Sequence, residues 1–168
     1  MKNLVFGILL GCFALIGCGS DEDSFQKIDQ ITNLYMKDNA GKDLFHPTKI
    51  DAYTGISMND MLAETDNAPV SFSRKMLADS TNYLEYIAGA TRELYQETDA
   101  ENKVYRSQIL VNLTKKISET QNNPVDSDTL EVFYRWTPSV FEVSKVNYNK
   151  HLVFTKVDGQ PNNVTIVK

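Results

Sequence analysis

Alternation of apolar and polar residues in the C-terminal part of the chain restricts its fold more than any other feature. In the run Leu130–Trp136 every second residue is apolar, and Glu131 and Arg135 lie between them. A period of two places alternate side chains on opposite faces of a strand. The run therefore predicts a β-strand with one face in the core.

Three further strands are predicted after this one. Pro138 cannot donate a hydrogen bond to a strand ladder, so the first strand ends before it. The alternation then changes phase, which predicts a β-bulge near residues 144–145. Turns at residues 149–150 and 158–163 separate two more apolar runs. Four short strands in succession predict an antiparallel meander.

Residues 83–97 fit two different elements. Their apolar residues recur at helical spacing, but the stretch is rich in Tyr and Thr and contains Gly89. The favoured interpretation is a strand here and a second strand in the β-branched run 104–113, joined by a turn at 99–102. A helix near residues 83–97 is the alternative.

The strand pattern predicts an all-β fold. About seven to nine short strands in one domain are typical of an antiparallel β-sandwich of the immunoglobulin-like or transthyretin-like kind. Two alternatives remain open, namely a β-barrel and an α+β fold with one helix near residues 83–97.

The N-terminus has the order of a secretory signal. Lys2 supplies a positive charge, and residues 4–16 form an apolar run that leads to Gly17 and Cys18. A membrane-spanning helix needs about 20 apolar residues, so this run is too short for a stable span.

The four residues Leu15-Ile16-Gly17-Cys18 resemble the bacterial lipobox. The resemblance implies cleavage between Gly17 and Cys18, attachment of diacylglycerol to the Cys18 thiol, and acylation of the new amino group by a fatty acid such as palmitate. A similar tetrad ends at Cys12, but its apolar run covers only residues 4–10. Cys18 is therefore the predicted lipid attachment site.

Asp21, Glu22 and Asp23 follow the cysteine. This acidic run resembles the surface-export signal of lipoproteins from Bacteroidota, which implies a lipid-anchored protein of the bacterial outer membrane, exposed on the cell surface. Residues 146–152 also resemble the closing hairpin of small sandwich lipoproteins from the same bacteria, and that likeness transfers no functional residue. The expected organisation is a signal peptide at 1–17, a lipidated acidic tether at 18–27 and a single domain at 28–168.

Charge and cysteine content narrow the classes of function. The formal net charge is −5, and an acidic surface argues against nucleic acid as a partner, because such binding depends on neutralising phosphates. The two cysteines of the chain are Cys12 and Cys18. The mature domain is therefore expected to form without a disulfide, a cysteine metal site or a cysteine nucleophile.

No cofactor, metal or catalytic residue is predicted. His46 and His151 have no partner at a telling spacing, and the acidic cluster at 38–43 lacks the ligand order of a calcium loop. Asp126, Asp128 and Glu131 are the carboxylates considered for glycoside hydrolysis, which needs two of them across a cleft. A glycoside hydrolase is therefore only the less favoured alternative to a non-enzymatic protein.

Aromatic residues supply the one ligand-binding hypothesis. Tyr134, Trp136 and Tyr148 fall on the apolar phase of neighbouring strands, where a row of rings could stack on sugars. A core position for Trp136 is the competing interpretation. The expected function is a lipid-anchored binding or accessory module for an envelope protein, and glycan binding is the alternative.

Overall fold

The computed structural model describes residues 25–168, and every regular element in that range is a β-strand. The predicted all-β fold is confirmed, and none of these residues belongs to a helix that could cross a membrane. Gly17, Cys18 and the acidic run 21–23 lie outside the described residues. The strands are β1 (Lys27–Asp29), β2 (Ile31–Lys37), β3 (Tyr53–Asp60), β4 (Ser73–Met76), β5 (Asn82–Ile87), β6 (Glu93–Asp99), β7 (Asn102–Lys115), β8 (Asp126–Trp136), β9 (Val140–Tyr148), β10 (His151–Thr155) and β11 (Asn162–Val167).

The larger sheet has the order β1-β9-β8-β7-β3. Two further strands pair with this sheet. β10 shares the outer position beside β9 with β1, and β6 shares the outer position beside β7 with β3. β1 lies along residues 140–142 of β9 and β10 lies along residues 145–148. The sheet is therefore five strands wide, and it curls around the core.

The smaller sheet has the order β11-β2-β5-β4 and covers the inner face of the larger one. Both sheets are mixed rather than purely antiparallel, because β1 runs parallel to β9 and β11 runs parallel to β2. The predicted meander is correct for β8, β9 and β10 but wrong for β11. The long turn before β11 lets the chain cross to the other sheet, where Val164 and Ile166 are buried.

Residues 83–97 belong to β5 and β6, so the helical alternative is wrong, and the single predicted strand is divided in two because the chain changes sheet between residues 88 and 92. Leu84 and Tyr86 point into the core while Tyr83 and Glu85 point outward, which is the period of a strand. β6 and β7 are joined at residues 99–102, as predicted.

The predicted β-bulge lies at Ser144. Phe133 pairs with Lys145 and Tyr134 pairs with Val143, which leaves Ser144 without a partner on β8. The Ser144 hydroxyl donates to the Phe133 carbonyl oxygen at 3.1 Å. Because of this extra residue, apolar side chains on both sides of the bulge reach the same core.

The chain passes between the two sheets five times, and two of these crossings show how the sheets join into a barrel-like sandwich. The chain leaves the larger sheet after β1, turns at Gln30 and enters the smaller sheet as β2. Further on, Ala68 and Val70 form backbone hydrogen bonds with β3 at 2.8 and 2.9 Å before the chain enters β4. Arg74 on β4 then donates to the carbonyl oxygens of Phe45 and Thr54, at 3.2 and 2.7 Å, across the gap to the larger sheet.

Candidate functional site

The outer face of the larger sheet carries a hydrogen-bonded row of polar side chains. The strand register places Gln108, Glu131 and Asn147 next to one another on β7, β8 and β9. Gln108 Nε2 donates to Glu131 Oε1 at 3.1 Å, and Asn147 Nδ2 donates to Glu131 Oε2 at 3.1 Å. Both carboxylate oxygens of Glu131 are thus bound by its neighbours across the strands.

Arg106 extends this row to β6. Its Nη1 lies 3.4 Å from Glu131 Oε1, and its Nε donates to Glu93 Oε1 at 3.0 Å. The Glu131 side chain is only 13% exposed and that of Arg106 is 24% exposed, so water screens this ion pair less than a fully exposed one. The arginine and its two carboxylate partners are therefore held in a defined arrangement.

An aromatic pair adjoins the row. Phe133 lies on the outer face of β8 and is nevertheless buried, because Tyr95 packs edge-on against it with 5.1 Å between ring centroids. Lys145 Nζ lies 4.1 Å from the Phe133 centroid, and Arg106 Cζ lies 5.1 Å from that of Tyr95. Tyr95 itself is 50% exposed. We refer to this surface as the Glu131 face; it consists of Glu93, Tyr95, Arg106, Gln108, Glu131, Phe133, Lys145 and Asn147.

The sequence contains only part of the signal for this face. Glu131 and Phe133 occupy the phase of β8 opposite to its core residues, so their outward direction follows from the alternation. Tyr95 lies at a register shift between Leu94 and Gln96, which the sequence does not reveal. Sequence reasoning considered Glu131 only as a carboxylate for hydrolysis and missed the network around it.

Two of the three predicted aromatic residues belong to the core. Tyr134 and Tyr148 are buried on the inner face of the larger sheet, because they share the apolar phase of their strands. Burial raises the pKa of both phenols far above the ordinary tyrosine value. Trp136 is half-buried at the end of β8, with Lys103 Nζ 5.7 Å from its ring. The predicted row is therefore corrected: Tyr134 and Tyr148 offer no ring to a sugar.

Of the three carboxylates considered for hydrolysis, Asp126 and Asp128 meet at Lys168, and Glu131 lies apart from them. Asp128 is buried and accepts hydrogen bonds from Tyr148 Oη and Asn149 Nδ2, both at 2.6 Å, while Lys168 Nζ lies 2.5 Å from it. Burial alone would raise the pKa of Asp128, but the hydrogen bonds from Asn149, Lys168 and Tyr148 outweigh it and lower the pKa. Asp126 pairs with the same lysine. Glu131 points to the opposite face of β8 and takes no part in this cluster.

The histidines lie on the surface. His46 borders a cleft of about 300 Å³ that also contains Lys42 and Lys49. Its Nδ1 accepts the backbone N–H groups of Thr48 and Lys49 at 3.3 and 3.2 Å, so the ring proton is assigned to Nε2. His151 is exposed at the start of β10.

The acidic cluster at 38–43 forms turns, as the sequence predicted. Asp38 Oδ1 accepts the N–H groups of Ala40 and Lys42, and Asp43 binds Phe45 N and Asn82 through its two oxygens. No group of three His, Cys, Asp or Glu side chains within residues 25–168 is placed to hold a metal ion.

Comparisons with known proteins identify no similar protein. No family model matches the chain, and neither the curated proteins nor the solved structures include a significant match.

Proposed function

We propose that the protein is a lipid-anchored, non-enzymatic binding module of the bacterial outer membrane that presents the Glu131 face to a partner. The lipid on Cys18 would hold the protein at the membrane, because two or more acyl chains anchor a protein firmly. The observation that carries the binding role is the ordered network around Glu131, which spans β6, β7, β8 and β9.

Ordering of these side chains before binding favours recognition. An exposed, rotamer-rich side chain costs about 0.5–1.5 kcal/mol when a partner immobilises it. Arg106, Gln108 and Asn147 are already bound to Glu131, so a partner meets groups that have lost much of this freedom. Their unused donor and acceptor positions remain at the surface of a rigid sheet. An envelope protein with a complementary polar surface is the favoured partner.

Glu131→Ala should weaken partner binding by at least about tenfold, which corresponds to about 1.4 kcal/mol. The substitution removes the acceptor that holds Gln108 and Asn147 and leaves Arg106 with Glu93 alone. The partner is identified by cross-linking on intact cells, and its affinity is then measured with purified proteins.

The matched control is Glu85→Ala on the outer face of the smaller sheet. Glu85 also forms an ion pair, at 2.7 Å from Lys75, but lies outside the Glu131 face. The Glu85→Ala substitution should leave the affinity for the partner unchanged. Equal affinity of wild type and Glu131→Ala for every cross-linked partner would disprove the proposed surface.

Tyr95 favours glycan binding as the second candidate function. Its half-exposed ring packs against Phe133 and lies 5.1 Å from Arg106 Cζ, which also contacts Glu131, and such rings bind the apolar faces of sugars. Sugar hydroxyls both donate and accept hydrogen bonds, which suits Glu131, Gln108 and Asn147.

Tyr95→Ala should reduce retention on outer-membrane polysaccharide several-fold in affinity electrophoresis if the ligand is a glycan. Tyr83→Ala on the smaller sheet is the control, because Tyr83 stacks on Tyr35 at 5.2 Å between centroids and lies outside the Glu131 face. Retention that is equally strong in both variants would rule out Tyr95 as the sugar contact.

A further inference from the structure

Three side chains with complementary chemistry meet where the chain crosses between the sheets. Lys156 follows β10, Asn162 begins β11 and Asp29 ends β1. Lys156 Nζ lies 2.5 Å from Asp29 Oδ2 and 2.9 Å from Asn162 Oδ1. The Lys156 side chain is 6% exposed, and Asn162 is 1% exposed. The amine and the carboxamide are thus held together with little access to water, while the Asp29 carboxylate beside them is 28% exposed.

The Asp29 carboxylate contacts both nitrogen atoms of this cluster. Its Oδ2 binds Lys156 Nζ, and its Oδ1 accepts a hydrogen bond from Asn162 Nδ2 at 3.0 Å. The carboxamide carbon lies one C=O bond, about 1.23 Å, beyond the oxygen that Nζ contacts. The contact therefore holds the amine beside the carbon that it would attack, and groups held in such proximity react as if present at very high concentration once they are aligned.

We propose that Lys156 and Asn162 form an intramolecular isopeptide bond, with Asp29 as the acid–base group. Asp29 takes a proton from the Lys156 ammonium group, and the free amine attacks Cγ of Asn162. Asp29 returns that proton to Nδ2 as the Cγ–Nδ2 bond breaks and ammonia forms. The second proton leaves Nζ through Asp29 and is carried away as ammonium. One amide replaces another, so no oxidant or reductant is needed.

The bond would fix the passage from the larger to the smaller sheet. It closes the connection between β10 and β11, which contains Gly159 at a φ of 74°. The two cysteines of the chain are Cys12 and Cys18, so residues 25–168 contain no thiol for a disulfide. Lys156 and Asn162 supply the amine and the carboxamide that an isopeptide bond requires. The proposed isopeptide bond does not depend on the proposed binding role of the Glu131 face.

Trypsin digestion of the purified, full-length mature protein tests the bond. Without the bond, trypsin cleaves after Lys150 and Lys156 and releases peptides 151–156 and 157–168. With the bond, the acylated Lys156 is no longer cleaved, and one peptide 151–168 appears whose mass is lower by one ammonia. Cleavage after Lys156 with unchanged masses would overturn the proposal. Ammonia loss from a peptide still cleaved after Lys156 would do the same, because it indicates cyclisation of an asparagine alone.

Variants test the role of each group. Lys156→Arg keeps the positive charge and the trypsin site but should abolish the joined peptide. Asp29→Asn keeps the size of the side chain but cannot carry the proton, and should lower the joined fraction at least tenfold at equal times after synthesis, measured by pulse labelling. Lys150→Arg changes an exposed turn residue and should leave the joined fraction unaltered. If Asp29→Asn forms the bond as fast as wild type, the assignment of Asp29 is wrong.

Discussion

Replacing Cys18 with alanine should abolish the acyl adduct and the membrane association that depends on it. The thioether to diacylglycerol requires the thiol, and each buried methylene of an acyl chain adds about 0.8 kcal/mol to membrane affinity. Mass spectrometry of the N-terminal peptide and partitioning into a detergent phase measure the two effects. The expected products are a soluble protein or a precursor whose signal is uncleaved.

Cys12→Ala is the matched control for this experiment. It removes the cysteine of the second lipobox-like tetrad and should leave both the adduct and the detergent partitioning as in wild type. An unchanged adduct in Cys18→Ala, or its loss in Cys12→Ala alone, would move the anchor to the other cysteine. Native protein that keeps residues 1–17 and carries no lipid would rule out the anchor.

Asp128→Ala should lower the free energy of unfolding by about 1.5–3 kcal/mol, because it removes the charged acceptor of Tyr148 and Asn149 while Lys168 keeps its pairing with Asp126. The Asp128 side chain is 7% exposed and binds Tyr148, Asn149 and Lys168. Urea unfolding at neutral pH measures the loss. Asp126→Ala is the control, since Asp126 contacts the same lysine but is 53% exposed. It should cost at most about 1 kcal/mol.

The Asp128 contribution should also depend on pH. Its pKa is lower in the folded protein than in the unfolded chain. The carboxylate therefore stabilises the fold fully above the unfolded pKa, and the contribution disappears as the pH falls through the folded pKa. The difference in unfolding free energy between wild type and Asp128→Asn should shrink on acidification below about pH 4. A difference that stays constant down to the acid-unfolding region would contradict this assignment.

The alternation in the sequence predicted the C-terminal strands and the bulge because it reflects local geometry, but seven to nine strands were expected and residues 25–168 form eleven. It did not predict the crossing of β11, since the same apolar residues suit a strand in either sheet. The period of two also puts Tyr134 on the same face of β8 as Leu130 and Val132, and its ring is buried because that face packs in the core. A row of aromatic residues in phase with aliphatic ones indicates a core position.

The Glu131 network and the cluster of Lys156, Asn162 and Asp29 depend on which strands pair and in which register. A short stretch of sequence does not encode this. Glu131 and Arg106 are 25 residues apart, and Lys156 and Asp29 are 127 residues apart. Each residue alone resembles an ordinary solvated position on a strand or turn. Only the pairing of strands brings their nitrogen and oxygen atoms within hydrogen-bonding distance.

The edge strand β4 bears on how the domain would tolerate crowding on a membrane if the proposed lipid anchor holds it there. Proteins confined to one membrane plane meet at high local density, and a long unpaired strand edge would then template association between neighbours. Here β4 is an edge of the smaller sheet, has only four residues and carries Arg74 and Lys75. Arg74 spans the adjoining gap. The architecture thereby disfavours edge-to-edge aggregation at this strand.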